Sequence, residues 1–220
     1  MSEEFREPLV LTEAEEAFIR AARKASVGAE SLLHQLNNSK NIRILTDYAG
    51  LNGQLPIEVN GEFFGSIAGS DLGFYDNLLS SYSFYSSQGV FLGAAEELRV
   101  KFRSGVQLLD YQHTPSGIIT TKGVGISGMF SLNRLLLQRG EQEVAELKNK
   151  FGFGMNAVIT DNLGREVWSA STAFDPLGSG GAILLDEEVS GNVSTLDALW
   201  MTVISSELAS LPRGHRSRRH

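Results

Sequence analysis

The spacing of apolar residues alternates along the chain between a helical and a strand-like period, and three stretches have the helical one. Residues 13–37 follow a T-x-x-E capping box that begins at Thr12, so we expect one or two helices there. Residues 132–151 place an apolar side chain mostly at every fourth position, which predicts an amphipathic helix of about five turns. A last helix begins at the S-x-x-D sequence of Ser194 and ends before Pro212. The apolar residues that define the second helix are Leu132, Leu136, Val144, Leu147 and Phe151.

An Asn-Gly pair at residues 60–61 gives the clearest local signal in the chain. It lies between β-forming residues, and Asn-Gly is the preferred pair for a two-residue type I′ turn. A hairpin with this turn pairs Glu58 with Phe63 on one face and Ile57 with Phe64 on the other.

Further strands are predicted where β-branched or aromatic residues lie between turn residues. The Asp-Asn-Leu-Gly sequence at residues 161–164 suits a type I turn that joins two strands. Residues 98–121 contain three apolar runs separated by turn residues, the last around Pro115, and this order predicts an antiparallel meander. Two more short strands are expected at residues 42–45 and 182–185.

These elements together predict an α+β fold, in which about three amphipathic helices pack against a mainly antiparallel sheet of about six to eight strands. Because no long linker or repeat interrupts the pattern, we expect a single compact domain over residues 1–212. A basic tail over residues 213–220 follows it.

Composition excludes several classes of protein. The chain has no cysteine, so it has neither a disulfide framework nor thiolate chemistry. Its net charge of −7 argues against a general nucleic-acid binder. No apolar run approaches the length of a membrane span, and the acidic N-terminus lacks the pattern of a signal peptide. We therefore expect a cytoplasmic or particle-associated protein that does not contact a membrane.

The last eight residues, RGHRSRRH, reverse the charge of the rest of the chain. The ordinary interpretation is a solvated end, and the functional one is docking on an acidic surface: RNA, DNA, or the acidic body of a neighbouring subunit. Nucleic acid is thus a possible partner through this tail alone. The residues that would bind are Arg213, Arg216, Arg218 and Arg219.

Residues 69–93 are rich in aromatic residues, serine and glycine and carry only two charged residues, Asp71 and Asp76. Large aromatic side chains in a segment of low charge are typical of the cores of protein interfaces. The alternative is a buried loop whose tyrosines are hydrogen-bonded. The predicted interface residues are Phe74, Tyr75, Tyr82, Phe84, Tyr85 and Phe91.

The glycines Gly123, Gly125 and Gly128 match the dinucleotide-binding pattern G-x-G-x-x-G, between a predicted strand and a predicted helix. Two observations weaken this match. The next acid at the end of a strand, Asp161, lies beyond the usual spacing for the ribose, and no series of βα units follows. A structural glycine turn explains the same residues, so we expect no cofactor.

Catalytic and metal-binding patterns are weak. Gly178 and Ser179 faintly resemble the serine loop of chymotrypsin-like proteases, but His34 and His113 are the only candidate bases outside the tail and neither has the expected setting. No histidine or carboxylate spacing indicates a metal site. The leading hypothesis is therefore a non-enzymatic assembly or binding protein. It would be a homo-oligomer, or a subunit of a larger complex such as a viral or phage particle.

Two alternatives stay open. The first is an enzyme that uses a nucleotide or dinucleotide at residues 123–128. The second is a small-molecule sensor with a pocket between sheet and helices.

Overall fold

The computed structural model describes residues 26–46, 54–69, 82–100, 103–121, 134–149, 156–174 and 181–210. Within these ranges the chain forms twelve strands and two helices. Each strand pairs antiparallel with its neighbours in chain order, and the first strand pairs with the last, so that the sheet closes into a barrel. Closure leaves none of these strands with a free edge.

The strands are five to ten residues long, and their order around the barrel is their order in the chain. They are β1 (Asn41–Leu45), β2 (Gln54–Val59), β3 (Glu62–Gly69), β4 (Tyr82–Ser86), β5 (Phe91–Val100), β6 (Arg103–Leu109), β7 (Pro115–Thr121), β8 (Arg134–Arg139), β9 (Gln142–Asn149), β10 (Asn156–Asp161), β11 (Glu166–Phe174) and β12 (Gly181–Glu187). The helices are α1, described over residues 26–37, and α2 (Thr195–Ser210).

Helix α2 occupies the interior of the barrel. Every side chain from Ala198 to Ser205 is buried, and these residues cover more than two turns of helix and therefore all of its faces. On one side the Trp200 ring meets Phe84 of β4 edge-on, with ring centroids 6.5 Å apart. Towards the far side of the barrel, the Ser205 hydroxyl hydrogen-bonds the Asn149 side chain of β9 over 3.0 Å. The hydrophobic core thus lies between one central helix and the surrounding wall.

The two ends of the barrel differ. Since the strands are antiparallel, the turns β2–β3, β4–β5, β6–β7, β8–β9 and β10–β11 all lie at one end, which we call the near end. Helix α1 packs across this end with Ala29 and Leu36 buried, and Tyr111 in the β6–β7 turn donates a 2.6 Å hydrogen bond to Glu30. Helix α2 starts at the near end, where Asp197 pairs with Arg139, and runs to the opposite, far end.

The predicted α+β class is wrong, because the described chain is mostly one closed sheet. The stretch expected to form a five-turn helix is the β8–β9 hairpin. Positions four residues apart also share a face of a strand, so the apolar spacing fitted both elements. Gly140 fits the hairpin: its φ of 61° suits the first central residue of a type II′ turn and is foreign to a right-handed helix. Leu135, Leu137 and Leu147 then point into the barrel.

The last helix was also predicted with one buried face, and this is wrong because the barrel surrounds α2. Its capping box is confirmed: the backbone N–H of Asp197 donates to Ser194 Oγ over 3.1 Å, and the N–H of Ser194 donates to the Asp197 carboxylate over 3.3 Å. Helix α1 confirms the described part of the first predicted helix. No helix in the described ranges is long and apolar enough to cross a membrane.

The Asn60–Gly61 hairpin is confirmed, with φ values of 53° and 84° at the two turn residues. Its predicted register is half right. Glu58 pairs with Phe63, but a bulge then pairs Ile57 with Gly65 and leaves Phe64 as the extra residue, buried in the core.

The other predicted strands are found at the expected places. The hairpin around residues 161–164 forms between β10 and β11, and the meander forms from β5, β6 and β7. The turn expected around Pro115 is wrong, because Pro115 already belongs to β7 and the chain reverses over residues 110–114. Asp110 accepts hydrogen bonds from the backbone N–H groups of Gln112 and Thr114. These bonds stabilise a turn that ends before Pro115.

Candidate interaction surface

Three aromatic rings form a continuous row on the outer wall near the near end of the barrel. The His113 ring is stacked on Phe91 with centroids 4.3 Å apart and planes 9° apart. Phe91 in turn meets Tyr85 edge-on at 5.6 Å. Tyr85 is 40% exposed, Phe91 is half-buried and His113 is exposed. We call Tyr85, Phe91 and His113 the aromatic strip.

The β4–β5 hairpin positions the first two rings. Tyr85 and Phe91 are cross-strand partners, and a bulge at this point sends both outward while Phe84 and Leu92 point into the core. The Ser86 hydroxyl accepts hydrogen bonds from the backbone N–H groups of Gln88 and Val90, over 3.2 and 3.1 Å. The tight turn is therefore held by its own side chain, and the two rings keep a defined spacing.

The β6–β7 turn positions the third ring. Asp110 Oδ1 accepts hydrogen bonds from the N–H groups of Gln112 and Thr114, each over 2.8 Å. His113 has a φ of 59°, a left-handed conformation that non-glycine residues adopt rarely. The Asp110 bonds hold the backbone in this conformation, which turns the imidazole onto Phe91.

The stretches of chain that carry the strip and flank it are acidic in sequence. Residues 54–69, 82–96 and 105–121, which surround it on the wall, contain no lysine or arginine. These ranges contain acidic residues, and Glu30 of α1 accepts a hydrogen bond from the β6–β7 turn. These acids are Glu58, Glu62, Glu96, Asp110 and, on α1, Glu30. Glu58 is paired with Arg43, and Glu30 accepts a hydrogen bond from Tyr111.

The predicted interface residues divide into three groups. Tyr85 and Phe91 lie in the aromatic strip, and Tyr82 is half-buried at the start of β4. Phe84 is fully buried against Trp200, so it supports the wall rather than contacting a partner. Two of the predicted aromatics, Phe74 and Tyr75, lie outside the described residues.

Sequence reasoning considered His113 only as a catalytic base and missed its place in the strip. The turn signal was present, since Asp110 and Thr114 bracket it, but its contact with Phe91 joins two different hairpins. His34 lies on α1, where its Nε2 is 3.1 Å from the Asn38 amide nitrogen. Neither histidine is therefore placed as the base of a catalytic triad by its described contacts.

The glycines Gly123, Gly125 and Gly128 and the tail arginines Arg213, Arg216, Arg218 and Arg219 also lie outside the described residues. The structure nevertheless changes the setting of the glycine pattern. Residues 134–149, where a helix was expected to follow it, form two strands. The dinucleotide hypothesis required a long helix after the glycines, with its N-terminus facing a phosphate. Residues 134–149 do not form that helix.

A second surface feature is a cavity of about 250 Å³ on the outer wall, lined by residues of β8, β9 and β10 and of the turn after β10. Its charged side chains are engaged with one another: Glu146 lies 3.4 Å from Lys148, and Asp161 lies 2.7 Å from Arg165. In the described ranges no group of three or more histidine or acidic side chains could hold a metal ion. The charges of Glu146, Lys148 and Asp161 in this cavity are thus used in ion pairs within the wall.

The Asp161 carboxylate accepts hydrogen bonds from Leu163 and Arg165 of its own turn. Burial acts to raise the pKa of its carboxyl group. The backbone and side-chain hydrogen bonds from Arg165, the backbone N–H of Leu163 and the Arg165 charge outweigh burial and lower the pKa below its usual value. Its carboxylate is a structural acceptor that closes the β10–β11 turn.

Comparisons with known proteins identify no family. No protein-family model matches the chain, and no curated protein matches it. Among solved structures, an X-ray structure of a protein from Arabidopsis thaliana is similar with a TM-score of 0.43 and 10% sequence identity, over 79% of this chain and 91% of that one.

Proposed function

We propose that this protein is a non-enzymatic interaction module that associates with further copies of itself through the aromatic strip. The observation that carries the proposal is the stacked row of Tyr85, Phe91 and His113, displayed on a rigid wall. Aromatic side chains are enriched among the residues that dominate binding energy at protein interfaces.

Preorganisation supports the same interpretation. The rings sit on two hairpins whose turns are held by Ser86 and Asp110. Binding would therefore order few new torsions, and immobilising a flexible side chain at an interface otherwise costs about 0.5–1.5 kcal/mol. A surface that is already ordered favours recognition of a partner.

The barrel interior argues for a surface function. Helix α2 fills the space where a ligand would bind, and Trp200, Met201 and Val203 are all fully buried there. A sensor pocket between sheet and helix would require α2 to move away from the wall. The outer wall offers groups for binding without such a change.

The charge around the strip favours protein over nucleic acid. A surface that stacks the bases of a single strand normally combines aromatic rings with a basic groove. Residues 54–69, 82–96 and 105–121 instead carry acids such as Glu62, Glu96 and Asp110 and no basic residue. These acids would repel a phosphate backbone.

Light scattering on a sizing column, over a range of protein concentrations, tests the proposal. We expect the wild-type chain to form a species larger than a monomer, and the double variant Tyr85→Ser/Phe91→Ser to shift to a monomer. Leu163→Ser is the matched control, because Leu163 is 71% exposed on a different turn. The urea midpoints of the variants confirm that they fold. A wild-type monomer at every concentration, or equal loss in the control, contradicts the proposal.

A further inference from the structure

We propose that the aromatic strip of one copy binds two cationic side chains, Arg134 and Lys148, on the wall of a second copy. This inference rests on the proposed self-association and names the surface that the strip contacts. Arg134 begins β8 and Lys148 lies near the end of β9, so both are at the far end of the barrel. We call Arg134 and Lys148 the cation pair.

The cation pair faces outward from the barrel. Arg134 and Lys148 are cross-strand partners, and the next pair in the same register, Leu135 with Leu147, is buried in the core. The Arg134 and Lys148 side chains are therefore on the outer face, where they are 54% and 39% exposed. Like charges directly opposite each other on adjacent strands destabilise a sheet, so this arrangement costs stability unless an opposite charge offsets it.

One carboxylate of the wall offsets only part of this charge. Glu146 lies 3.5 Å from Arg134 and 3.4 Å from Lys148. Two cations and one acid leave the cluster with a net charge of +2 − 1 = +1. The outer wall therefore keeps a local positive charge in a chain whose net charge is −7.

The guanidinium group of Arg134 differs from those of the other arginines whose side chains the structure describes. Arg43, Arg139 and Arg165 each donate a hydrogen bond of 3.0 Å or less to a carboxylate. Arg134 donates none to a described residue, and its contact with Glu146 is longer. Its planar donors and its face are thus available to a partner.

The chemistry of the strip is complementary to this group. A guanidinium stacks on aromatic faces and pairs with carboxylates through its planar donors. Tyr85 and His113 are exposed at the two ends of the strip. Two acids contact the turn that carries His113: Asp110 accepts hydrogen bonds from its backbone, and Glu30 accepts one from Tyr111. The strip therefore offers ring faces with carboxylates held at the same turn.

The strip and the cation pair of one copy cannot meet. His113 precedes the first residue of β7, whereas Arg134 lies one residue beyond Leu135, which pairs with Thr121 at the end of β7. The 7 residues of β7 span about 23 Å at about 3.3 Å per residue. Tyr85 is on β4, four strands from β8, or about 19 Å around the wall at about 4.8 Å per strand. No side chain spans these distances, so the contact joins two copies.

The contact joins different surfaces of the two copies. It is therefore a heterologous interface, which gives a ring where the rotation closes and a filament where it does not. Each copy contributes one strip and one cation pair, so a copy that lacks either can still complete one contact.

Mixing two defective variants tests the inference. The strip variant Tyr85→Ser/Phe91→Ser keeps the cation pair, and the cation variant Arg134→Gln/Lys148→Gln keeps the strip. Light scattering on a sizing column should find each variant alone as a monomer. An equimolar mixture should give a 1:1 dimer, at about twice the monomer mass and no larger, because only one contact can form. High salt should weaken this dimer.

The double variant Lys40→Gln/Arg43→Gln is the matched control. It removes one lysine and one arginine from β1 and its approach, where their side chains are 77% and 46% exposed. It should assemble as the wild type does, and urea midpoints should show that all three variants fold. Equal loss of assembly in this control would mean that total charge, and not the cation pair, governs association, and would overturn the inference.

The possible results separate the two proposals. If the strip variant is a monomer while the cation variant assembles as the wild type does, the strip binds another surface. The inference is then overturned and the proposed function stands. If both variants are monomers and the mixture forms no dimer, the inference is also overturned. If the wild type itself never assembles, the proposed function fails and the inference fails with it.

Discussion

The guanidinium group of Arg139 lies 2.6 Å from the carboxylate of Asp197 and ties the end of β8 to the first turn of the central helix. The same carboxylate oxygen accepts a hydrogen bond from the Ser194 hydroxyl over 2.7 Å. One buried side chain therefore caps α2 and anchors it to the wall, where the helix enters the barrel.

Asp197→Ala should lower the free energy of unfolding by about 1–3 kcal/mol, because it removes half of the capping box and leaves the part-buried donors of Ser194 and Arg139 without this acceptor. Urea denaturation measures the loss. Glu58→Ala is the control: it breaks the 3.0 Å pair with Arg43, whose side chain is half exposed, and should cost less than about 1 kcal/mol. Equal losses in the two variants would show that Asp197 anchors nothing.

The same substitution at two glycines should have opposite effects. A Cβ on Gly65 would overlap the backbone oxygen of Tyr85 and lie 2.8 Å from Ser86 Cα, so Gly65→Ala should destabilise the protein by about 1–3 kcal/mol. A Cβ on Gly28, in α1, would meet nothing within 4 Å, so Gly28→Ala should stabilise it by about 0.5–1 kcal/mol. Thermal unfolding of both variants checks the signs; a neutral Gly65→Ala would mean that β3 and β4 separate easily.

Removing either of two hydroxyl groups of α2 should change the free energy of unfolding, in opposite directions. Thr202 Oγ1 is buried with no hydrogen-bond partner in the described structure, whereas Ser205 Oγ bonds Asn149. Thr202→Val keeps the shape and should raise the free energy of unfolding by about 1 kcal/mol; Ser205→Ala should lower it by about as much. Chemical denaturation of the two variants is the measurement. A less stable Thr202→Val would indicate a water bound inside the barrel.

Asp161 predicts a dependence of stability on pH. Its pKa is lower in the folded chain than in the unfolded one, so its contribution is complete above the unfolded pKa, near 3.8, and is lost as the pH falls through the lower folded pKa. Asp161→Asn should therefore differ most from the wild type near pH 7 and less below about pH 3. Urea midpoints at both pH values measure this; a gap that widens in acid would refute the assignment.

The local elements of the fold could be predicted, because their signals lie within a few residues. Asn60 and Gly61 adopt the positive φ values that their turn requires, and Ser194 caps α2 as its spacing indicated. The candidate site was predicted in part: Tyr85 and Phe91 were selected by composition. His113 was not, because its contact with Phe91 forms only after two hairpins pair.

The turns and helix caps follow from the sequence alone, since their hydrogen bonds join residues two to four apart. The short strands were recognisable from runs of β-branched and aromatic residues between those turns. Tertiary structure decided the rest. Apolar spacing of four left residues 134–149 open to helix or strand, and hydrogen bonds to β7 and β10 on either side made them strands. Pairing of β1 with β12 closed the wall, and only a closed wall can bury every face of α2.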